Sequence, residues 1–476
     1  MPNPQAQPDP QALTALAEQH RRAGRLREAL IACDAAIRAA PDHPDAWLER
    51  GFAYASGGSM ARAGECYAHV LVLEPGNALA HAGLAGIAAR DGDGAASRYH
   101  ATAALTVDPH GATATLALAT VENDEANPAA ACALLEPLIA RLGQPEPDRS
   151  LGYTLLGDAH SRLGNHPRAH DAYVRANADF AAIHAAQFAG RPPHRAFVAA
   201  VTDALVAHDF AGTGVGDPAP PPPEAPARHL FLLGYPRSGN TLVENVLASL
   251  ADVVALEERP TLRAADRAWL GGPDGLRRLA AASAAELTEM RGAYWRKVGE
   301  AAGAIGGRTF VDMDPLKGTR LPLIARLFPT AKVLIVRRDP RDVVWSCFRT
   351  GFALTNPAMD FTTIEGTARH YDAMMRLLET ARERLDLAFH EVRYEALVAD
   401  FDATTQALCG FAGLDWSPEV RRFDRTARAR GVATASAGQV RQGLYDGSDQ
   451  WRPFAQWLEP VMPILAPWIE RFGYAA

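Results

Sequence analysis

The sequence lacks the features that mark membrane, secreted and metal-binding proteins. In 476 residues, no uninterrupted apolar stretch approaches the ~20 residues that are needed to cross a bilayer. The first residues, Met1 to Gln5, lack the basic and apolar regions of a secretory signal. The five cysteines show no C-x-x-C spacing, and the histidines show no metal-ligand spacing. We therefore expect a cytoplasmic protein with reduced thiols, no membrane partner and no metal ion.

An excess of positive charge is also missing. The formal net charge of −7 argues against non-specific binding to nucleic acid, although local arginines can still hold an anionic ligand. The chain is too long for one hydrophobic core, and about 150 residues per domain suggests two or three units.

The N-terminal third contains an internal repeat. Residues 10–43, 44–77 and 78–111 align, residues 112–145 are degenerate, and 150–180 recover the pattern. The second copy carries the fullest set of small, aromatic and proline positions: Trp47, Gly51, Tyr54, Ala63, Tyr67 and Pro75. This pattern resembles the tetratricopeptide repeat (TPR). The resemblance implies an all-α solenoid over residues 1–180, with a concave face that binds a peptide or protein partner.

A composition change follows the repeats. Apolar residues from Phe197 to Val206 indicate one further amphipathic helix, and the prolines of 218–223 indicate an extended spacer. We therefore predict that residues 181–227 are a helical segment and linker, and that a second domain spans residues 228–476.

A phosphate-binding loop is the most informative motif of this second domain. The apolar run 230–233 indicates a buried strand, and Gly234 to Thr241 have the spacing G-x-x-x-x-G-x-T before a helical pattern. Backbone N–H groups of such a loop converge on an anion. Asn240 stands where nucleoside-triphosphate enzymes carry lysine, and the charge lies earlier, at Arg237. The loop therefore favours a phosphate ester other than ATP.

A second motif follows the apolar run 333–336. Arg338 precedes Asp339 and Pro340, which are typical of the first residues of a helix, and Ser346 lies two turns along that helix. Strands are predicted at 230–233, 309–312, 333–336 and 388–393, in alternation with helices, which indicates a parallel sheet. Both arginine motifs follow strands, so we expect them to face one crevice at the carboxyl ends.

Together these motifs resemble those of the sulfotransferases, which use 3′-phosphoadenosine 5′-phosphosulfate (PAPS). With the repeats, the chain resembles bacterial TPR-containing sulfotransferases, whose transferase half is similar to the tyrosylprotein sulfotransferases. The resemblance implies a TPR solenoid followed by an α/β P-loop-like sulfotransferase domain with a parallel sheet. It further implies that the loop binds the 5′-phosphosulfate and that Arg338 and Ser346 bind the 3′-phosphate. The loop residues are Arg237, Ser238, Gly239, Asn240 and Thr241.

The resemblance also assigns residues to the chemistry. Glu258 falls on the family's catalytic base, with Glu257 as the competing carboxylate, and Arg237 falls on the arginine that contacts the transferring group. Residues 432–442 resemble the segment that closes over the nucleotide. Within it, Ser436 falls on a serine that assists at the sulfuryl group, and Arg441 is a candidate phosphate contact. Tyr394 resembles a tyrosine near the adenine, and a packing role is equally compatible with the sequence.

One departure from the family pattern leaves the function open. Met313 stands where the family carries a lysine that contacts the leaving group, and we hypothesise that Lys317 substitutes for it. The preferred function is sulfuryl transfer from PAPS to an acceptor hydroxyl, possibly a protein tyrosine, with a carbohydrate or small molecule as the alternative acceptor. Two further alternatives are a TPR adaptor whose second domain binds nucleotide without efficient turnover, and an ATP-dependent kinase.

Overall fold

The computed structural model describes residues 9–210, 225–272, 274–431 and 436–475. The chain divides into two compact units, Met1–His184 and Ala185–Ala476. The proline-rich stretch 218–223 lies outside the described residues. Across the described ranges, every helix is too short or too polar to cross a bilayer.

The first unit is built from helix pairs, as the repeat pattern predicts. Consecutive helices are joined by short turns and pack against each other and against the next pair. The degenerate stretch 112–145 also forms such a pair, α7 and α8. The helices are α1 (Pro10–Arg22), α2 (Leu26–Ala39), α3 (Pro44–Ser56), α4 (Met60–Leu73), α5 (Ala78–Asp91), α6 (Gly94–Val107), α7 (Ala112–Asp124), α8 (Pro128–Leu142), α9 (Pro147–Arg162) and α10 (His166–Phe188).

Glycines let these helices approach closely around a buried tyrosine. Tyr67 is 3% exposed, and a Cβ added at Gly51 or Gly83 would come within 2.4 or 2.5 Å of its ring. Tyr173 packs on Gly157 in the same way, with a Cβ approach of 2.5 Å. The aromatic ring thus fills the space that the missing side chains leave, which explains why the repeat pairs small with aromatic positions.

The second unit includes a helix that the sequence analysis predicted as part of the linker segment 181–227. Helix α11 (His194–Ala207) packs along α19 (Ile364–Arg384), and Val198, Val201 and Leu205 are buried. This boundary differs from the predicted one at residue 228. An amphipathic pattern shows that a helix has a buried face, but it does not show which core buries it.

A five-stranded parallel sheet organises the second unit. Its strands are β1 (Arg228–Leu233), β2 (Val253–Glu257), β3 (Thr309–Met313), β4 (Lys332–Arg337) and β5 (Ala388–Arg393), in the order β2-β3-β1-β4-β5. All four strand pairings are parallel. The four predicted strands are present, and β2 is the one that the sequence analysis missed.

Helices cover both faces of this sheet. Leu230 and Leu232 of β1 pack with the helices that follow the loop and β5, whereas Phe231 packs against Tyr294 and Phe328 on the opposite face. The remaining helices are α12 (Asn240–Ala248), α13 (Arg263–Trp269), α14 (Gly275–Ala280), α15 (Ala284–Ala302), α16 (Leu321–Leu327), α17 (Pro340–Arg349), α18 (Asn356–Asp360), α20 (Tyr394–Ala399), α21 (Phe401–Ala412), α22 (Phe423–Arg430), α23 (Ala437–Arg441), α24 (Ala455–Leu458) and α25 (Met462–Arg471). Burial on both faces explains why β1 and β4 read as continuous apolar runs.

All five cysteines are present as free thiols. Cys33, Cys66, Cys347 and Cys409 are buried, and Cys132 is half-buried.

Candidate functional site

The loop after β1 has the geometry of an anion-binding turn. Gly239 has a φ of +106° immediately before α12 begins at Asn240. A Cβ at Gly239 would lie 2.9 Å from the Tyr394 ring, so no other residue fits without displacement. Ser238 is buried, and Thr241 lines the adjacent cavity. The N-terminus of α12 therefore borders this cavity, as expected for a phosphate loop.

Asn240 acts within the loop rather than toward a ligand. Its side chain is buried, and Nδ2 donates to the Tyr235 carbonyl at 2.8 Å. This hydrogen bond of the NH₂ group fixes the turn. Its backbone N–H remains one of the donors at the start of α12.

The second motif has the predicted local structure. Asp339 caps α17 by accepting the Arg341 N–H at 2.8 Å, and Pro340 is the first residue of the helix. This places Arg338 between the end of β4 and the start of α17, with Ser346 further along the helix. Both side chains are buried and both line the same cavity as the loop.

The cavity brings together most of the residues that the sequence pointed to. Its lining residues come from the loop, α17, the β5–α20 junction and the C-terminal segment: Arg237, Gly239, Thr241, Leu242, Arg338, Ser346, Tyr394, Ser436, Gln439, Val440, Gly443, Tyr445, Gly447 and Gln450. Its free volume is about 50 Å³, which is space for a few water molecules.

Arg237 is the central side chain of the cavity. Its Nε donates to Ser346 Oγ at 3.0 Å, Nη1 to Ser436 Oγ at 2.6 Å, and Nη2 to Gln439 Oε1 at 2.9 Å. Its φ of +69° is unusual for a residue with a side chain, and such strain is often found at functional sites. Ser346 and Ser436 thus meet at one guanidinium, although they were assigned to opposite ends of the nucleotide.

Gln439 is a cavity residue that sequence reasoning missed. It lies three positions after Ser436, and α23 presents both side chains to Arg237. Arg441 does not belong to the cavity wall that the described residues form, and its carbonyl accepts from Arg428. Residues 432–435 of the predicted closing segment lie outside the described residues.

Arg338 and Tyr394 form the second half of the cavity. The Arg338 guanidinium lies 4.9 Å from the centre of the Tyr394 ring, and its Nη1 donates to the Arg237 carbonyl at 3.0 Å. Its Nη2 donates to the Gly447 carbonyl, while Nε is buried with no hydrogen-bond partner among the described residues. The Tyr394 hydroxyl donates to the Tyr445 carbonyl at 2.6 Å and accepts from the Gly447 N–H. Tyr394 therefore both packs and lines the site.

A group of carboxylates lies at the carboxyl end of β2. Glu258 follows β2 with a φ of +44°, and its N–H donates to the Met313 carbonyl at 2.8 Å. The residue as a whole is exposed, although neighbouring protein atoms partly desolvate its carboxyl group. This dehydration, with the nearby charges of Asp314 and Glu257, raises the pKa of Glu258 to about 7, while Lys317 opposes the shift. Such a pKa suits a general base at neutral pH.

Glu244 and Arg430 form a buried ion pair beside these carboxylates. Glu244, on α12, is fully buried and receives Arg430 Nη2 at 2.7 Å. Arg430 also donates to Asn245 and to the carbonyl of Ala255 on β2. Burial raises the pKa of Glu244 to about 7 despite Arg430. The pair ties the phosphate-loop helix to the strand that carries Glu258.

Lys317 does not reach the cavity. The residue is 3% exposed, and its Nζ lies 2.5 Å from Oδ1 of Asp312, which is fully buried on β3. Because a buried carboxylate needs a nearby positive charge, Asp312 holds the ammonium that we expected at the leaving group. Met313, the last residue of β3, is buried in the core cluster that also contains residues of α12. Neither residue lines the cavity that the described residues form.

The phosphate loop is also braced from its other side. The Tyr235 hydroxyl lies 2.7 Å from His370 Nδ1, and His370 Nε2 lies 2.8 Å from His194 Nδ1 on α11. Burial lowers the pKa of His194 to about 4 and that of His370 well below its usual value, so both rings are neutral at pH 7. A chain of neutral hydrogen bonds thus connects α11 to the loop.

Comparison with known families finds a similarity within each unit. The model of the sulfotransferase family matches residues 229–418, which contain the loop, the Arg338 motif and all five strands except Arg228. The second unit contains a sulfotransferase-family domain. The tetratricopeptide-repeat model matches residues 10–53, within the helix pairs of the first unit. The chain is therefore similar to the sulfotransferase family over residues 229–418 and to the tetratricopeptide repeat over residues 10–53.

Individual relatives are distant. An uncharacterized protein of Aquifex aeolicus (strain VF5) is 27% identical over 251 residues, which cover 50% of this chain and 32% of that protein. The chain thus spans about a third of the length of this curated relative. The sulfotransferase domain of the Synechococcus PCC 7002 olefin synthase is 22% identical, covers 54% of this chain and 98% of its own, and has a TM-score of 0.39. The MamA protein covers 37% of this chain and 93% of its own at 19% identity and a TM-score of 0.29.

Proposed function

We propose that the second unit transfers a sulfuryl group from PAPS to an acceptor hydroxyl. The observation that carries this proposal is the convergence of Arg237 and Arg338 on one cavity from loops that are far apart in the sequence. The Arg338 guanidinium contacts the Arg237 carbonyl at 3.0 Å, so the two charges belong to one site. Two arginines that converge beside a phosphate loop suit a ligand with two separated anionic groups.

The residues around the cavity fit such a donor. Arg338 Nε is buried without a partner among the described residues, and a phosphate oxygen would satisfy it. Gly239 ends the loop immediately before α12, whose first backbone N–H groups can bind a second anionic group. In this structure the Arg237 guanidinium donates hydrogen bonds to Ser436 and Gln439. The donor would replace these two hydrogen bonds when it binds.

Each proposed catalytic residue has a distinct task. PAPS supplies the sulfuryl group, and Arg237 would stabilise the negative charge that develops on the bridging oxygen. The Ser436 hydroxyl would donate a hydrogen bond to the sulfuryl group. Glu258, with a pKa of about 7, would accept the proton that the acceptor hydroxyl loses. In-line transfer then depends mainly on positioning and on cationic stabilisation, by analogy with phosphoryl transfer.

The TPR repeats support a proposal for the acceptor and for the partner of the first unit. We propose that the concave face of the repeats binds a peptide or protein and recruits the acceptor, with a protein tyrosine as the preferred hydroxyl. A carbohydrate or small-molecule hydroxyl is the alternative acceptor, because a fold does not determine a substrate.

One observation favours a second candidate, a nucleotide-binding adaptor with weak turnover. Met313 is buried in the core and Lys317 is held by Asp312, so neither residue supplies a cation to the leaving group. The adaptor would bind PAPS through the same two arginines but release little product.

Product release separates the two candidates. We expect the full chain to release 3′,5′-adenosine diphosphate from PAPS when a mixed acceptor pool is present, and Glu258→Gln to abolish this release while donor binding persists. Glu257→Gln is the matched control and should retain release. Binding without release by the wild-type chain would favour the adaptor, and release that survives Glu258→Gln would contradict the assignment of the base.

The assignment of Arg338 has its own test. Loss of one charge-assisted arginine–phosphate contact costs ~2 kcal/mol, or about 30-fold in affinity. We expect Arg338→Ala to weaken PAPS binding by this factor in calorimetry and to affect adenosine 5′-phosphosulfate, which lacks the 3′-phosphate, far less. Arg341→Ala is the control, because Arg341 pairs with Asp339 outside the cavity. Equal weakening of both nucleotides by Arg338→Ala would show that Arg338 does not bind the 3′-phosphate.

A further inference from the structure

The turn that carries Glu258 is strained and needs external support. Glu258 has a φ of +44°, a left-handed conformation that a side chain disfavours. Such a conformation persists only where the surroundings fix it. One support is the Glu258 N–H, which donates to the Met313 carbonyl on β3 at 2.8 Å. The chain then continues through Pro260 to Thr261, which supplies a second support.

Thr261 attaches the turn to a buried carboxylate. Thr261 is 2% exposed, and its hydroxyl donates to Oδ2 of Asp312 at 2.8 Å. Tyr294 of α15 donates to the same oxygen at 2.9 Å from another element. Lys317 contacts the other oxygen, Oδ1, and its Nζ lies 3.4 Å from the Thr261 hydroxyl. The Glu258 turn is thereby tied to β3 through both its backbone and the Thr261 side chain.

The ion pair makes this attachment rigid. Asp312 is fully buried on a strand with β1 on one side and β2 on the other. Without Lys317, an isolated charge there would be strongly destabilising, so the two residues depend on each other. A carboxylate that is fixed by its strand and satisfied by three donors offers one defined position for the Thr261 hydroxyl.

We propose that Thr261, Asp312 and Lys317 are positioning residues that hold Glu258 at the end of β2, where it can take the proton of an acceptor hydroxyl. This inference rests on the proposed role of Glu258 as the base. It also gives Lys317 a task that differs from the leaving-group contact that the sequence suggested. None of the three residues lines the cavity that the described residues form, so they act through Glu258 and not on the donor.

Two hydroxyl groups that bond the same oxygen of Asp312 allow a matched pair of substitutions. Thr261→Val and Tyr294→Phe each remove one hydroxyl that donates to the same oxygen of Asp312, and each keeps the shape of the side chain. Only Thr261 belongs to the turn of Glu258. If the network served stability alone, both substitutions would lower the melting temperature and neither would change turnover selectively.

The test compares turnover, donor binding and stability in the full chain. We expect Thr261→Val to lower kcat roughly 10- to 100-fold, because a displaced catalytic group loses rate at about this scale, with little change in the KM for the donor. Thr261→Ser should restore most of kcat, because it restores the hydroxyl. Tyr294→Phe should keep kcat close to that of the wild type while its melting temperature falls.

A second measurement does not depend on activity. Hydrogen exchange at the Glu258 amide, which bonds to Met313, should become faster in Thr261→Val and stay slow in Tyr294→Phe. Unchanged exchange and unchanged kcat in Thr261→Val would overturn the inference, as would an equal loss of kcat in both variants. Full activity of Glu258→Gln would instead refute the base assignment itself, which keeps the two failures distinct.

Discussion

Glu258 combines access to solvent with a pKa of about 7, and the rate should report this pKa. A carboxylate acts as a base only when ionised, so kcat/KM should rise with pH, reach half its maximum near pH 7 and level off above it. An inflection near pH 4.5 would indicate a carboxyl group in an ordinary aqueous environment.

Glu244 has a raised pKa of similar size, so the pH profile needs a variant that separates the two groups. Glu244→Gln should keep the inflection near pH 7 if Glu258 is responsible for it. Disappearance of the inflection in this variant would assign it to the buried pair with Arg430 instead.

Individual residues also show which parts of the site can be predicted from the sequence. Arg237, Arg338 and Ser346 could be found because each follows a strand at a recognisable spacing, and all three line the cavity. Gln439 could not be found, because its contact with Arg237 joins segments that are about 200 residues apart. Lys317 was predicted to contact the leaving group because spacing does not show that Asp312, five residues earlier, satisfies its charge.

Among the elements, the turn from the phosphate loop into α12 requires a glycine at position 239. Gly239→Ala combines a φ of +106° with a Cβ that lies 2.9 Å from the Tyr394 ring. We expect this variant to lose donor binding in calorimetry, because either the loop or Tyr394 must move.

Gly303→Ala is the control for this prediction. Gly303 also has a positive φ, of +69°, but a Cβ there would meet no atom within 4 Å. It should lower stability by about 1 kcal/mol or more and leave donor binding intact. Equal donor affinity in both variants would mean that the contact between Gly239 and Tyr394 does not shape the site.

The elements themselves were predicted where their patterns are strong. Strands β1, β3, β4 and β5 are each visible as short apolar or β-branched runs. Strand β2 was missed because Val253–Glu257 is a short edge strand, only partly buried, whose sequence includes alanine, leucine and glutamate. These residues are common in helices, so only the pairing with β3 makes the segment a strand.

At the scale of the whole molecule, the question is whether α11 takes part in donor binding as a member of the second unit. The His194–His370–Tyr235 chain connects this helix to the phosphate loop. When PAPS binds to the full chain, we expect hydrogen exchange to slow in α11 as well as in α12, and to stay unchanged in α1 to α9. A response confined to residues after 228 would support the boundary that the sequence suggested.

The two-unit organisation was predictable, whereas the exact division was not. The 34-residue repeat and the strand–helix alternation each have a strong period, so both architectures could be read from the sequence. The division lies near the end of α10. Helix α11 belongs to the second unit because it packs against α19, almost 170 residues later in the sequence.

The shielding of the five thiols has a practical consequence. Burial raises the pKa of each, to about 12 for Cys33 and about 11 for Cys409, so very little thiolate is present at neutral pH. A cysteine introduced at an exposed position such as Gly438 would therefore react with a maleimide dye well before the native thiols do. Movement of α23, which carries Gly438 and the cavity residue Gln439, could then be followed by fluorescence without first removing any natural cysteine.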